Sequence, residues 1–124
     1  MLRSVVCDAG GILVVSGALV GSQPPDIEVL ALDATSLLVG RFLMAHHHAN
    51  AERARVEIGI ALSGVHEWFP VRTLVADTLN RAGDEAVDSL DSWSALLLAE
   101  QLNVALFTAS DELASERVQI IRPW

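Results

Sequence analysis

Apolar positions along the chain come in short blocks, each bounded by a capping or turn residue. Residues 4–7 (SVVC), with Leu2 ahead of them, form an apolar run closed by Asp8 and the pair Gly10 and Gly11. That is the pattern of a buried strand with a tight exit. Residues 12–20 fit a short helix or a second strand, because periodicity does not separate the two in so short a run. GSQPP, at 21–25, is the clearest loop. Residues 27–32 read as a strand or a helical lead-in. Asp33 then predicts an N-cap for a helix carrying Leu37, Leu38, Arg41 and Phe42. Asn50 predicts the cap of the next helix, where Ala54, Ile58, Ala61 and Leu62 recur at helical spacing until Ser63 and Gly64 stop it. Residues 67–69 predict a short strand. After Pro70, the positions Val71, Leu74, Val75 and Leu79 follow the i, i+3, i+4, i+8 spacing of a one-faced helix.

A polar connection at 82–87 leads into a helix that starts at Ser89 or Asp91 and runs through Leu102. It is apolar on most of its circumference, which predicts burial. Residues 104–107 predict a strand, 111–115 a helical turn and 118–121 a closing strand. Strands separated by helices imply a parallel sheet covered on both faces. The fold class expected is therefore a single three-layer α/β/α domain over residues 1–124, with a central, mainly parallel sheet. No internal repeat or low-complexity segment interrupts it.

Composition narrows the functional classes. The 124 residues are 52% hydrophobic, enough for a sizeable core. The longest apolar runs, at 12–15 and 95–99, fall far short of the roughly 20 residues of a membrane span, so none is expected. The N-terminus carries no leader pattern, and Cys7 has no partner for an internal disulfide. Both favour a reducing, cytoplasmic setting. The net charge is −8, and all eight basic residues are Arg. That argues against a broad cationic surface for nucleic acid. A divalent metal held by carboxylates would reverse the local sign of the field and admit a polyanion.

Candidate chemistry collects at strand ends. Asp8 closes the first predicted strand, and Asp111 follows the strand at 104–107 in the stretch LFTASDELA. Asp91 opens the most buried helix, where its carboxylate would face the positive helix end. Ligand sites of open α/β sheets lie beyond the carboxyl ends of the strands, so these three acids from distant parts of the chain are candidates to meet there. Clustered carboxylates repel one another and persist where a hard cation neutralises them, which Mg²⁺ or Mn²⁺ would do. Metal-assisted phosphodiester hydrolysis is the chemistry this suggests. Taken singly, each acid also has a structural explanation: Asp8 as a turn former, Asp91 as an N-cap, Asp111 as a solvated turn acid.

The segment SLDSWSALLLAEQLNVALFTASDELA, residues 89–114, resembles the C-terminal half of PIN-domain ribonucleases, especially the VapC-like toxins of toxin–antitoxin pairs. The matching features are Asp91 opening a helix, the Ala-Glu-x-Leu sequence at Ala99, Glu100, Gln101 and Leu102, and Thr108 of a Thr-x-Asp motif followed by Leu113 and Ala114. VVCDAGGIL likewise resembles the family's first strand and its Asp, which gives Asp8. The resemblance implies a PIN-like fold and an Mg²⁺- or Mn²⁺-dependent endoribonuclease acting on RNA, with Asp8, Asp91 and Asp111 as metal ligands and catalytic acids. It also implies a homodimer, and an antitoxin protein whose helix occupies a groove near the active site. The apolar stretch 35–45 is where such a partner is expected to touch.

Several positions depart from the family pattern. Gly10 stands where the family has Ser or Asn, Ser36 where it has a helix-borne Glu, and Ser110 where it has the Asp of Thr-x-Asp, with Asp111 one residue late and Asp33 a remote substitute. Loss of two of four acids implies weak metal binding, hence a weakened or inactive enzyme. The rival expectation is a non-catalytic PIN-like module for protein binding or oligomerisation. A phosphate-binding flavodoxin or receiver type is disfavoured by the absence of Lys.

Other residues read as structural. His46, His47 and His48 are consecutive and splay on a helix, which suits a helix C-terminus rather than zinc. Glu57 and His66 are expected to face solvent. Arg41, Arg53, Arg55 and Arg72 read as surface residues, Trp68, Trp93 and Trp124 as packing residues, and Cys7 as an inert core thiol.

Overall fold

The computed structural model describes residues 3–17, 27–84 and 86–123. The GSQPP loop, the end of the 12–20 segment and Trp124 lie outside them. In chain order the elements are β1 (Arg3–Cys7), α1 (Ala9–Val15), β2 (Ile27–Leu32), α2 (Thr35–His46), α3 (Ala51–Ser63) and β3 (Glu67–Phe69), then a 3₁₀ turn (Val71–Leu74), α4 (Val75–Ala82), α5 (Val87–Leu102), β4 (Ala105–Phe107) and β5 (Ile120–Ile121).

The strands form one five-stranded sheet in the order β3-β2-β1-β4-β5, and every pairing is parallel. Side chains alternate across it as a pleat requires. Val5 and Cys7 of β1, Val29 and Ala31 of β2, and Ala105 and Phe107 of β4 enter a core with α1, α2 and α3. Val6, Leu30, Leu32 and Leu106 enter a second core with α5 and the 3₁₀ turn. The molecule is thus a three-layer α/β/α sandwich, as the alternation of apolar blocks predicts. Cys7 is fully buried, and burial, reinforced by Asp8 beside it, pushes its thiol well above the ordinary range. Among the described residues, no helix is long and apolar enough to cross a membrane.

Local chemistry shifts several boundaries. The Gly10 and Gly11 pair does not make a loop exit; both glycines lie inside α1, whose N-cap is Asp8. The cap of α2 is Ala34, without a side-chain bond, rather than Asp33. Asp33 instead accepts from the backbone N–H groups of Ala34 and Val71, tying the start of α2 to the 3₁₀ turn. The helix expected from Ser89 or Asp91 starts at Val87, so Asp91 sits in its second turn, past the reach of the terminal dipole. The segment 111–115 is a bend at 111–112 followed by irregular chain, not a helical turn, and the closing strand is only Ile120–Ile121.

After Pro70 the apolar stripe divides between the 3₁₀ turn and α4. Leu74 is fully buried, but Val75 and Leu79 are half exposed and face a groove. A one-faced pattern therefore marks a face, and only part of that face meets the core.

Candidate functional site

β1 is the middle strand, and the chain leaves it toward β2 on one side and returns to it as β4 on the other. The carboxyl ends of β1 and β4 thus flank the switch point of the sheet, where open α/β folds form their crevices. Asp8 follows β1 there, and Thr108 follows β4.

Asp8 is 2% exposed. Its Oδ1 accepts from the Gly11 N–H at 2.8 Å, which caps α1. Its Oδ2 accepts from Ser92 Oγ at 2.8 Å and, in a short bond, from Thr108 Oγ1. Burial pushes the Asp8 carboxyl above the ordinary carboxylate range, against the lowering effect of its bonds from Thr108, Gly11 and Ser92. No Lys or Arg pairs with it among the described residues.

Asp91 reaches the same place from the opposite layer. It is buried on α5, and its Oδ2 accepts from the Ala9 N–H at 2.8 Å while its Oδ1 accepts from Thr35 Oγ1 at 2.6 Å. One carboxylate therefore links α5 to the first residues of both α1 and α2. Asp8, Ala9, Gly10, Asp91 and Ser92 form the polar part of a cavity of about 230 Å³, whose apolar wall is Leu13, Leu38 and Phe42.

Asp111 is exposed on the segment after β4, and it does not line this cavity. Among the described residues, no group of three or more His, Cys, Asp or Glu side chains is placed to hold a metal ion. The structure brings Asp8 and Asp91 together and leaves Asp111 outside their hydrogen-bond network.

Three hydroxyls that sequence reasoning did not assign to the site complete it: Thr35, Ser92 and Thr108. Each follows a recognisable signal, since Ser92 is adjacent to Asp91, Thr108 ends a buried strand and Thr35 opens a helix. All three bind a carboxylate oxygen, and Thr108 also accepts from the Ser110 N–H at 3.0 Å. Ser110 thereby shapes the turn beside Asp8 through its backbone.

The glycines of α1 are explained by close approach. A Cβ on Gly11 would stand 2.2 Å from the Phe107 carbonyl oxygen, and one on Gly10 would stand 2.9 Å from Ala109 Cβ. Helix α1 packs so tightly on the end of β4 that a Ser or Asn at position 10 requires the segment at Ala109 to move.

No protein-family model and no curated protein matches this chain in sequence. Its function is therefore argued from the site.

A second cavity, about 330 Å³, adjoins the first and shares Leu38 and Asp91 with it. It is lined mainly by apolar side chains of α2, α4 and α5, among them Leu37, Val75 and Leu79. The Thr78 hydroxyl is buried there without a hydrogen-bond partner.

His46 and His47 of the histidine run make separate contacts. His47 caps α2, and its Nε2 lies 2.6 Å from Glu57 Oε2 on α3, where Arg53 Nε also reaches Oε1 at 3.3 Å. Glu57 is thus paired rather than simply solvent-facing, and the His47 bond first, then Arg53, hold its carboxyl below the ordinary range. His46 stacks on Phe42. His66 is exposed, yet its Nδ1 accepts from the Val29 N–H and so continues the edge of β2. Trp93 is covered by the Arg81 guanidinium, 5.3 Å from the ring centre.

Proposed function

We propose that this chain is a PIN-like domain that holds one divalent cation, Mg²⁺ or Mn²⁺, at Asp8 and Asp91 and hydrolyses an RNA phosphodiester there. The observation that carries this reading is the convergence of the two acids, from opposite helical layers, on one cavity at the switch point of a parallel sheet. Mg²⁺ typically keeps several waters and is held by one or two carboxylates together with substrate phosphate, so two acids suit it without a full protein cage. The chemistry of the donors fits as well. Asp8 is a buried acid with no Lys or Arg paired to it among the described residues, and its Oδ1, which accepts only from the Gly11 N–H, keeps a second lone pair for a ligand, whereas Oδ2 is already taken by Ser92 and Thr108.

A bound cation supplies Lewis-acid polarisation of the phosphate and a more acidic water. The protein's own groups supply the setting. Asp8 and Asp91 carry the negative charge, Thr35, Ser92 and Thr108 fix both carboxylates by donated hydrogen bonds, and Leu13, Leu38 and Phe42 form the cavity's apolar side. Asp111, exposed beside the Thr108 turn, belongs to this reading as an acid that substrate or metal would draw in. The exposed Leu37, Val75 and Leu79 around the adjoining groove support its partner half, in which an antitoxin protein or a second copy of the chain, as a homodimer, covers them. A cytoplasmic location goes with the same reading.

A second reading has its own support. Every carboxylate oxygen of the pair already receives a protein hydrogen bond, and positions 36 and 110 carry Ser, which is what a non-catalytic binding module that keeps the fold would show. Calorimetric titration with Mn²⁺, paired with an RNA-cleavage assay, separates the two. The nuclease reading expects one saturable Mn²⁺ site and metal-dependent cleavage, both lost in Asp91→Asn. Absence of saturable binding by the wild type refutes it and leaves the binding module.

A further inference from the structure

We infer that Phe42 is a stacking platform for the base of the nucleotide whose phosphate sits at the Asp8 and Asp91 pair, so that the site selects an unpaired nucleotide. The inference rests on the nuclease reading above and adds a residue that decides which nucleic acid enters. Its basis is the division of the cavity into two unlike halves. One half is Asp8, Asp91 and Ser92; the other is Leu13, Leu38 and Phe42. A nucleotide has the same division, an anionic phosphate joined to a flat, largely apolar base.

Phe42 is the aromatic member of the cavity wall, and it is 39% exposed although Val39 and Leu43, which flank it on α2, are fully buried. The core is thus filled by its neighbours, and the Phe42 ring is left over the cavity. The His46 ring lies parallel to it, 5.9 Å between centres and 9° between planes, one turn further along α2. His46 thus backs one face of the Phe42 ring, and a base would use the other. Other described aromatic side chains at this end of the sheet are engaged elsewhere: Phe107 is buried in the core, Phe69 packs against the second core, Trp93 lies under Arg81, and Trp68 is on the edge strand β3. A base held in a Watson–Crick duplex is stacked on its neighbours and does not present its face, whereas an unpaired one does. Aromatic stacking is sequence-tolerant, with preferences set by stacking strength, so purines are favoured over pyrimidines.

The test measures binding of short fluorescently labelled oligo(A), oligo(U) and an RNA duplex by anisotropy, with Ca²⁺ replacing Mn²⁺ to hold cleavage in check. The wild type is expected to bind oligo(A) more tightly than oligo(U), and the duplex least. Phe42→Ala is expected to weaken oligo(A) binding roughly 5- to 100-fold, the loss of one stacked base. Phe42→Leu, which keeps the apolar volume without a π-face, should stay weak, and Phe42→Trp should restore affinity. Far-UV circular dichroism of the Leu and Trp variants confirms that they fold. Equal oligo(A) affinity for wild type, Phe42→Ala and Phe42→Leu overturns the inference, as does a wild type that binds no oligonucleotide or prefers the duplex. Mn²⁺ titration of the same variants keeps the two readings distinguishable. Phe42 is not a ligand, so Phe42→Ala should bind Mn²⁺ as the wild type does; a wild type that binds Mn²⁺ but shows no Phe42 dependence sinks the stacking inference and leaves the nuclease reading, whereas a wild type without a Mn²⁺ site sinks both.

Discussion

Asp8→Asn is expected to stabilise the protein at pH values above the folded pKa of Asp8 and to abolish its response to Mn²⁺. Burial raises the carboxyl's pKa above its ordinary value of 3.8, so the folded protein holds a proton at Asp8 more tightly than the unfolded chain does. The contribution of this group is therefore fully favourable below 3.8 and is lost as pH rises through the folded pKa. Above that window the ionised carboxylate is a standing cost. Asn keeps the shape. Its Oδ1 still accepts from the Gly11 N–H, while its amide donates to Ser92 and Thr108, whose hydroxyls can turn to accept. Thr108 already accepts from the Ser110 N–H, so reversing it displaces its own proton, at about 1 kcal/mol. Relief of a buried carboxylate that has hydrogen bonds but no ion-pair partner among the described residues is worth a few kcal/mol, which exceeds that loss. The net expectation is a variant about 1 to 3 kcal/mol more stable at pH values above the folded pKa of Asp8, with the gain shrinking toward zero as the wild-type carboxyl takes up its proton. Urea unfolding in EDTA, followed by circular dichroism at both ends of the range, measures it. Mn²⁺ at a hundred times its Kd should then stabilise the wild type by about 2.7 kcal/mol and leave Asp8→Asn unchanged. A variant less stable than wild type above that pKa, or an equal Mn²⁺ response from both proteins, refutes the reasoning.

Gly11→Ala places a methyl 2.2 Å from a backbone oxygen of β4, and is expected to cost more than about 3 kcal/mol or to prevent folding, read as soluble yield and urea midpoint. Glu100 is buried on α5, with Arg81 at 3.0 Å, Ser115 at 2.8 Å and Arg117 at 3.9 Å. Arg81→Met leaves this carboxylate only the Ser115 hydroxyl and the longer Arg117 contact and should cost about 2 to 3 kcal/mol, whereas Glu100→Gln releases two exposed guanidiniums to water and should cost about 1 kcal/mol; the reverse order in chemical denaturation would contradict this. Thr78→Val removes a buried hydroxyl without a partner and should raise the melting temperature by a few degrees, on the order of 1 kcal/mol.

The layers were legible because burial dictates them. β1, β2 and β4 are apolar on both faces, and α5 is apolar nearly all round, so only a parallel sheet between helical layers accommodates them. Where local and tertiary preferences compete, the pattern misled. Asp33 has the composition of a cap, yet its carboxylate is used by the backbone of a turn far along the chain. Gly10 and Gly11 look like a loop, but their role is to let α1 approach β4, a requirement that only the packed structure reveals. The same holds at the site. Asp8 and Asp91 are legible as the acids after a strand and at the head of an apolar helix, though α5 begins four residues before Asp91; Thr108 is legible only as a motif residue, and Thr35 and Ser92 carry no periodic signal at all.

The hydrogen bonds of the pair decide which experiments carry weight. Asp8 caps α1 and Asp91 joins α5 to α1 and α2, so each acid has a structural reason to be present whether or not the protein catalyses anything. Phe42 is different. Its exposed ring contributes little to the core that Val39 and Leu43 already fill, and its removal tests the cavity for a ligand without dismantling the network beneath. Substitution of the acids measures stability and metal affinity together, and only their opposite signs, a gain in one with a loss of the other, mark a site kept for chemistry at the expense of the fold.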